Sequence, residues 1–128
     1  MAKIVLGQRP EKFTRLVKFP MLDGTDGVIK CEFKFRTKTE YAELVDSVSK
    51  ATRASLERPD GELPDYAEIM REAASKNAGY MKDILLGWDL EGEINDENLQ
   101  EISNTYPAAT QAILDAYRVG CIEGKLGN

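Results

Sequence analysis

Leu85-Leu86-Gly87-Trp88-Asp89-Leu90-Glu91-Gly92-Glu93-Ile94-Asn95-Asp96-Glu97-Asn98-Leu99 joins two helical segments and carries the single tryptophan of the 128-residue chain. Ile84, Leu85 and Trp88 stand at i, i+1 and i+4, which places them on one face of a helix end. Gly87 suits the left-handed conformation that often closes a helix. Asn95 reads as the N-cap of the next helix, and Ile94 and Leu99 have the spacing of a hydrophobic staple. Asp96 and Glu97 fall in the first turn, where negative charge complements the helix dipole. The stretch is thus expected to act as a hinge on which the C-terminal helices fold back over the rest.

Beyond the hinge, the pattern predicts a third helix over about Asp96 to Asn104, with Leu99 and Ile102 inward. A fourth begins at Pro107, a residue well suited to the first helical position. Ala109, Ile113, Ala116, Tyr117 and Cys121 form its apolar stripe. Gly124 is the expected stop, with Lys125 to Asn128 as a short tail. Before the hinge, Asp65 is a candidate cap for a second helix. Its stripe runs through Tyr66, Ile69, Met70, Ala73, Tyr80, Met81 and Ile84 to Trp88, and it is read as continuous through Gly79. Arg58-Pro59-Asp60-Gly61-Glu62-Leu63-Pro64 must be an exposed loop. Thr37 and Glu40 make a capping box for a first helix running from about residue 38 to the mid-fifties, with Tyr41, Leu44, Val45 and Val48 on one face.

Val28 to Arg36 is the clearest strand. Ile29, Cys31, Phe33 and Phe35 alternate with charged residues, as in a sheet with one wet face. Phe13 to Phe19 is its expected partner. Arg15 and Leu16 break the alternation there, which points to a bulge or an edge position. A two-residue turn at Asp23-Gly24 would oppose odd to even positions and separate the two apolar faces. The loop before Val28 must therefore have odd length or contain a bulge. Lys3-Ile4-Val5-Leu6 reads as a third short strand or an anchored tail. The fold class that follows is α+β: an N-terminal antiparallel β-hairpin, with a possible third short strand, packed on about four helices. Residues 1–128 are expected to form one domain, its hairpin part at 1–37 and its helical part at 38–128.

Composition narrows the chemistry. An apolar share of 42% and a charged share of 30% suit a globular protein. No apolar run reaches the length of a membrane span, and no apolar signal core follows the N-terminus, so a cytoplasmic location is expected. The chain has no histidine, which removes the commonest general base and transition-metal ligand. Cys31 and Cys121 have no metal-like spacing and read as reduced thiols. The acidic run from Asp89 to Glu97 lacks the glycine and glutamate positions of a calcium loop. Gly120 to Lys125 departs from a phosphate-binding loop in spacing and lacks its Ser/Thr. No catalytic, cofactor or metal site is expected.

Charge is unevenly spread. Residues 1–38 hold nine Lys/Arg against four Asp/Glu, whereas the remainder holds eight against eighteen, for a net −5. Lys12, Arg15, Lys18, Lys30, Lys34, Arg36 and Lys38 cluster on the hairpin and support an alternative: a small nucleic-acid-binding or regulatory protein using that basic face. Phe33 and Phe35 lie on the opposite face of their strand, away from any backbone that the lysines would track. The large apolar residues of the helical part support instead a protein-binding module. Tyr80, Met81, Trp88 and Tyr117 are its candidate interaction residues, core being the competing role for each.

Several segments, in order, also resemble a known family. Gly87-Trp88-Asp89-Leu90, Asn95-Asp96-Glu97-Asn98-Leu99, Tyr106-Pro107-Ala108-Ala109 and the ending Glu123-Gly124-Lys125-Leu126-Gly127-Asn128 are similar to a phage tail assembly chaperone family, as are Met1 to Gly7 and Val28 to Glu40. The likeness covers most of the chain and is weakest from about Ser49 to Asn77. It implies a small non-enzymatic protein of siphophage-like phages or prophages, made in infected or lysogenic bacteria. Such a protein binds the tape measure protein, keeps it soluble while the tail tube assembles, and is absent from the finished virion. It also implies self-association, and often a longer frameshifted product.

Overall fold

The computed structural model describes residues 4–58 and 61–124. Strands β1 (Lys12–Pro20) and β2 (Asp26–Lys34) form the expected hairpin, followed by α1 (Lys38–Leu56) and α2 (Tyr66–Ile84). The chain then enters strand β3 (Leu85–Trp88) before α3 (Asp96–Thr105), α4 (Pro107–Arg118) and a π turn (Val119–Glu123). The sheet is antiparallel in the order β1-β2-β3, so the fold is α+β.

The parity argument holds. Phe13 pairs with Phe33, Val17 with Ile29 and Phe19 with Gly27, which leaves a five-residue loop, 21–25. Odd positions of both strands therefore face the core, where Val17, Ile29, Cys31 and Phe33 are buried. β1 is an edge strand without a bulge. Arg15 keeps the alternation by facing inward, its guanidinium 4.9 Å from the Phe13 ring centroid, while Leu16 faces out. Gly27 lets the Phe19 ring lie across the opposing backbone: a Cβ there would be 2.6 Å from Cζ of that ring and would push it aside.

β3 corrects the reading of Ile84 to Trp88. α2 runs unbroken through Gly79 but stops at Ile84, and Leu85 is already extended at φ −91°, ψ 128°. Gly87 therefore caps no helix; it lies in β3. Its pairing shows why the periodicity misleads. Cys31 opposes Trp88, Glu32 opposes Gly87 and Phe33 opposes Leu85, leaving Leu86 as an extra residue in a bulge. The bulge turns both Leu85 and Trp88 to the inner face, although three positions separate them. A bulged strand thus imitates the spacing of a helix face. The third strand comes from this segment, inside the part expected to be helical. Ile4, Val5 and Leu6 form no strand, and Lys3, Pro59, Asp60 and the tail Lys125 to Asn128 lie outside the described residues.

The helix ends follow local chemistry. Thr37 Oγ1 accepts from Glu40 N at 3.2 Å, and Glu40 Oε1 from Thr37 N at 2.9 Å, completing the capping box. Asn95 Oδ1 accepts from Asn98 N at 2.9 Å. Asp65 occupies the N-cap position of α2 without a side-chain bond. Pro107 opens α4, and Gly124, at φ 65°, closes the π turn.

One contiguous buried cluster unites the sheet with α2, α3 and α4. α1 contributes no fully buried residue and leans on the cluster through Tyr41, Leu44, Val45 and Val48. Tyr117 of α4 lies at the aromatic centre, with ring centroids 5.9 Å from Phe13, 5.3 Å from Phe33 and 6.0 Å from Tyr41. Its hydroxyl donates to Lys34 O at 2.8 Å and accepts from Arg36 Nη1 at 3.0 Å. The same Arg36 nitrogen donates to Asp83 O at 3.1 Å, near the end of α2. Ser103 Oγ donates to Ala74 O at 2.7 Å, and Lys82 pairs with Asp96 at 2.8 Å, fastening α3 to α2.

Three measurements test this packing. Tyr117→Phe leaves Lys34 O and Arg36 short of a partner and lowers unfolding free energy by about 1–3 kcal/mol in urea titrations. Gly120→Ala puts a Cβ 2.4 Å from Cε2 of Phe13, a ring with neighbours on several sides; overpacking of this kind costs about 1–3 kcal/mol. Burial, with the Asp89 carboxylate adding to it, pushes the Cys31 thiol up to about 12. Burial also raises the Tyr80 and Tyr117 hydroxyls. The folded state holds these protons longer than the unfolded chain, so stability falls as pH rises past the unfolded cysteine value of about 8.5 and then the tyrosine value of about 10. The urea midpoint therefore drops between neutral pH and pH ~10.5, more steeply in its upper half.

Candidate protein-interaction groove

The β1–β2 loop, the end of β3 and the α3–α4 junction meet around an apolar depression. The loop is shaped by Asp23, whose carboxylate accepts from Thr25 N at 3.0 Å and from Thr25 Oγ1 at 2.6 Å. Gly24 follows at φ 86°, and Met21 N donates across the loop to Thr25 O at 2.8 Å. The turn therefore keeps a regular backbone while presenting Met21 and Leu22 outward; Leu22 is fully exposed.

The opposite wall is held by the loop after β3. Asp89 Oδ1 accepts from Lys30 N at 2.9 Å, continuing the sheet's bonding past the last β3 residue with a side chain. Trp88 Nε1 donates to Gly92 O at 2.9 Å, so the indole's polar atom is satisfied within the loop and its ring remains for apolar contact. Gly92 takes φ 99°, and Asn98 Nδ2 donates to Glu93 O at 2.7 Å. At the junction, Tyr106 ends α3 and precedes Pro107, and the buried Thr110 hydroxyl bonds to Ile102 O or Tyr106 O, each at 3.2 Å. Tyr106 is left 47% exposed.

Two hollows result, of about 290 and 320 Å³. Phe19, Met21, Tyr106 and Ala109 border both, so they adjoin. Trp88, Leu90 and Ile102 complete the first; Pro20, Leu22 and Pro107 belong to the second. Individually they reach the small end of ligand-pocket volumes, ~300–1,000 Å³. The lining is mainly apolar and contains no serine, cysteine or lysine. Such a surface can grip apolar side chains.

Of the four candidate interaction residues, the groove contains Trp88. Tyr80, Met81 and Tyr117 are buried at 8%, 0% and 0% exposure and serve the core of the folded chain. Sequence reasoning gave no site role to Met21, Leu22, Leu90 and Tyr106, and read Ile102 only as an inward residue of α3. One signal was present: Met21 and Leu22 are large apolar residues in a turn, where polar residues and glycine are usual.

Elsewhere, α1 and α2 form an arm whose outer part has few core contacts. Tyr66, Ile69 and Met70 of α2 and the preceding Leu63 are exposed, and Arg58 pairs with Glu68 beside them. The outer sheet face displays Lys12, Lys18, Lys30 and Lys34. Glu32 lies among them and pairs with Lys12 at 3.3 Å, while Phe33 faces the core. Among the described residues no group of three or more Cys, Asp and Glu converges as a metal site, and no helix is long and apolar enough to cross a membrane.

Comparison with curated proteins and with solved structures gives no match. A family model described as phage tail assembly chaperone matches residues 1–128. Because that family's model spans every residue from 1 to 128, the chain belongs to the phage tail assembly chaperone family.

Proposed function

We propose that the protein binds the tape measure protein and keeps it soluble during tail assembly, without becoming part of the mature virion. The observation that carries this reading is the pair of adjoining apolar hollows with Met21, Leu22 and Tyr106 left open at the surface in a chain of the chaperone family. An amphipathic helix presents apolar anchors at i, i+3, i+4 and i+7, a pattern that suits successive hollows. The action is to cover apolar client surface by binding alone, with no covalent step and no cofactor, in the cytoplasm of the infected or lysogenic bacterial host.

Self-association extends the proposal. A long client needs many copies, and the exposed Leu63, Tyr66, Ile69 and Met70 of the arm supply an apolar contact surface outside the groove. The opposite charge of the N-terminal and C-terminal parts favours contacts between copies as well.

Co-expression with the tape measure protein tests the function. The native chain raises the client's soluble fraction several-fold. Leu22→Asn with Tyr106→Asn weakens client binding by about tenfold or more, in the range of lost interface anchors. Because both side chains are exposed, each change shifts stability by only about 0.5 kcal/mol. An unchanged client with the native chain would refute the chaperone reading. Full activity of the doubly substituted, folded chain would move the binding surface elsewhere. A salt-sensitive DNA complex lost on replacing Lys30 and Lys34 would favour the basic-face alternative instead.

A further inference from the structure

Asp23, Glu91 and Glu101 are the charged side chains bordering the two hollows, and all three are acidic. They come from the β1–β2 loop, the loop after β3 and α3, so the shared sign is not the composition of one helix. Glu91 and Glu101 are exposed and form no ion pair among the described residues. Asp23 is committed to the charged form by its bonds from Thr25. No arginine or lysine borders either hollow among the described residues, although the chain has seventeen. The nearby Lys18 and Lys30 side chains belong to the other face of the sheet.

An apolar floor with an acidic rim selects against some occupants. A segment flanked by Asp or Glu would bring like charges together around a dry contact, which is costly. A purely apolar segment would leave the three carboxylates beside a partner that offers them nothing. Lysine and arginine satisfy both parts of the surface: their stems cover apolar atoms while their cationic ends reach out to carboxylates. We infer that the groove takes an amphipathic helix whose apolar anchors are bordered by Lys or Arg, with Asp23, Glu91 and Glu101 setting that preference. The inference rests on the reading that the groove holds a client segment, and it states the chemistry of that segment.

Trp88 is the single tryptophan of the chain and lines the first hollow, so its emission reports occupancy. The probes are two tryptophan-free helical peptides with identical Leu and Ile anchors, one flanked by Lys and one by Glu. The native chain binds the Lys-flanked peptide about tenfold more tightly at low salt, and the gap closes towards ~1 M NaCl as the rim is screened. Glu91→Lys with Glu101→Lys reverses the order of the two peptides. Both positions are exposed, and unchanged thermal unfolding confirms that the variant is folded. Equal binding of the two peptides, no binding of either, or the same preference in the variant would overturn the inference. Emission that changes with the protein's own concentration, without peptide, would give the groove to a second copy and also overturn it. If co-expression rescues the tape measure protein while the charge preference is absent, the rim assignment alone fails. If the preference is present but the client stays insoluble, the groove chemistry stands and the client is another protein.

Discussion

The hydroxyl of Tyr117 is the constraint from which the arrangement of this molecule follows. A tyrosine enclosed by Phe13, Phe33 and Tyr41 needs a partner for its polar atom, and it finds two. It donates to Lys34 O at the end of β2 and accepts from Arg36, which also bonds Asp83 O near the end of α2. Those bonds tie α4, the sheet and α2 together at one point. Asp83 is held beside the chain that leaves β2, and the residues after Ile84 run along that strand. Leu85 therefore opposes Phe33, and Trp88 arrives opposite Cys31. The wall of the groove is thus set by the pairing of β3 with β2, close to the point where the Tyr117 hydroxyl joins the other elements.

Core and groove make opposite use of large apolar side chains. Tyr80, Met81 and Tyr117 are closed in by the sheet and helices, where their contribution is packing. Met21, Leu22 and Tyr106 are attached to rigid turns and helix ends yet remain exposed. Loops on a rigid scaffold are favourable places for binding because their conformation is held by the elements they join. Here the holding bonds are specific: Asp23 to Thr25, Trp88 to Gly92, Asn98 to Glu93 and Asp89 to Lys30. Each satisfies a polar atom within the protein and leaves the apolar surface beside it open. These bonds hold the backbone around the groove in place.

The sequence was most legible where structure depends on near neighbours. Thr37 and Glu40 are three residues apart, so their reciprocal bonds can be read directly from the chain. The same holds for Asn95 with Asn98, for Pro107 at the start of α4 and for Gly124 at the close of the π turn that follows it. Parity extended this reach, since the alternation of Phe13 to Phe19 and Ile29 to Phe35 implied an odd loop between them. β3 lay beyond it. Four residues carry a weak local signal, and the bulge at Leu86 gave Leu85 and Trp88 the spacing of a helical face. Trp88 could be singled out from the sequence and does line the groove, whereas the lining residues as a set are separated in the chain by up to ninety positions.

By itself, the amino-acid order determined an α+β fold, four helix starts, the facing of the hairpin strands and a chemistry without histidine. Each of these is set by alternation, capping or composition, whose causes lie within a few residues. Tertiary structure alone decided that Leu85 to Trp88 would be a strand, because extended backbone there is stabilised by bonds to β2 rather than by its own neighbours. It also decided which aromatics would be enclosed and which would border the groove. Burial depends on what the rest of the chain places over a side chain, and the same residue type serves either role.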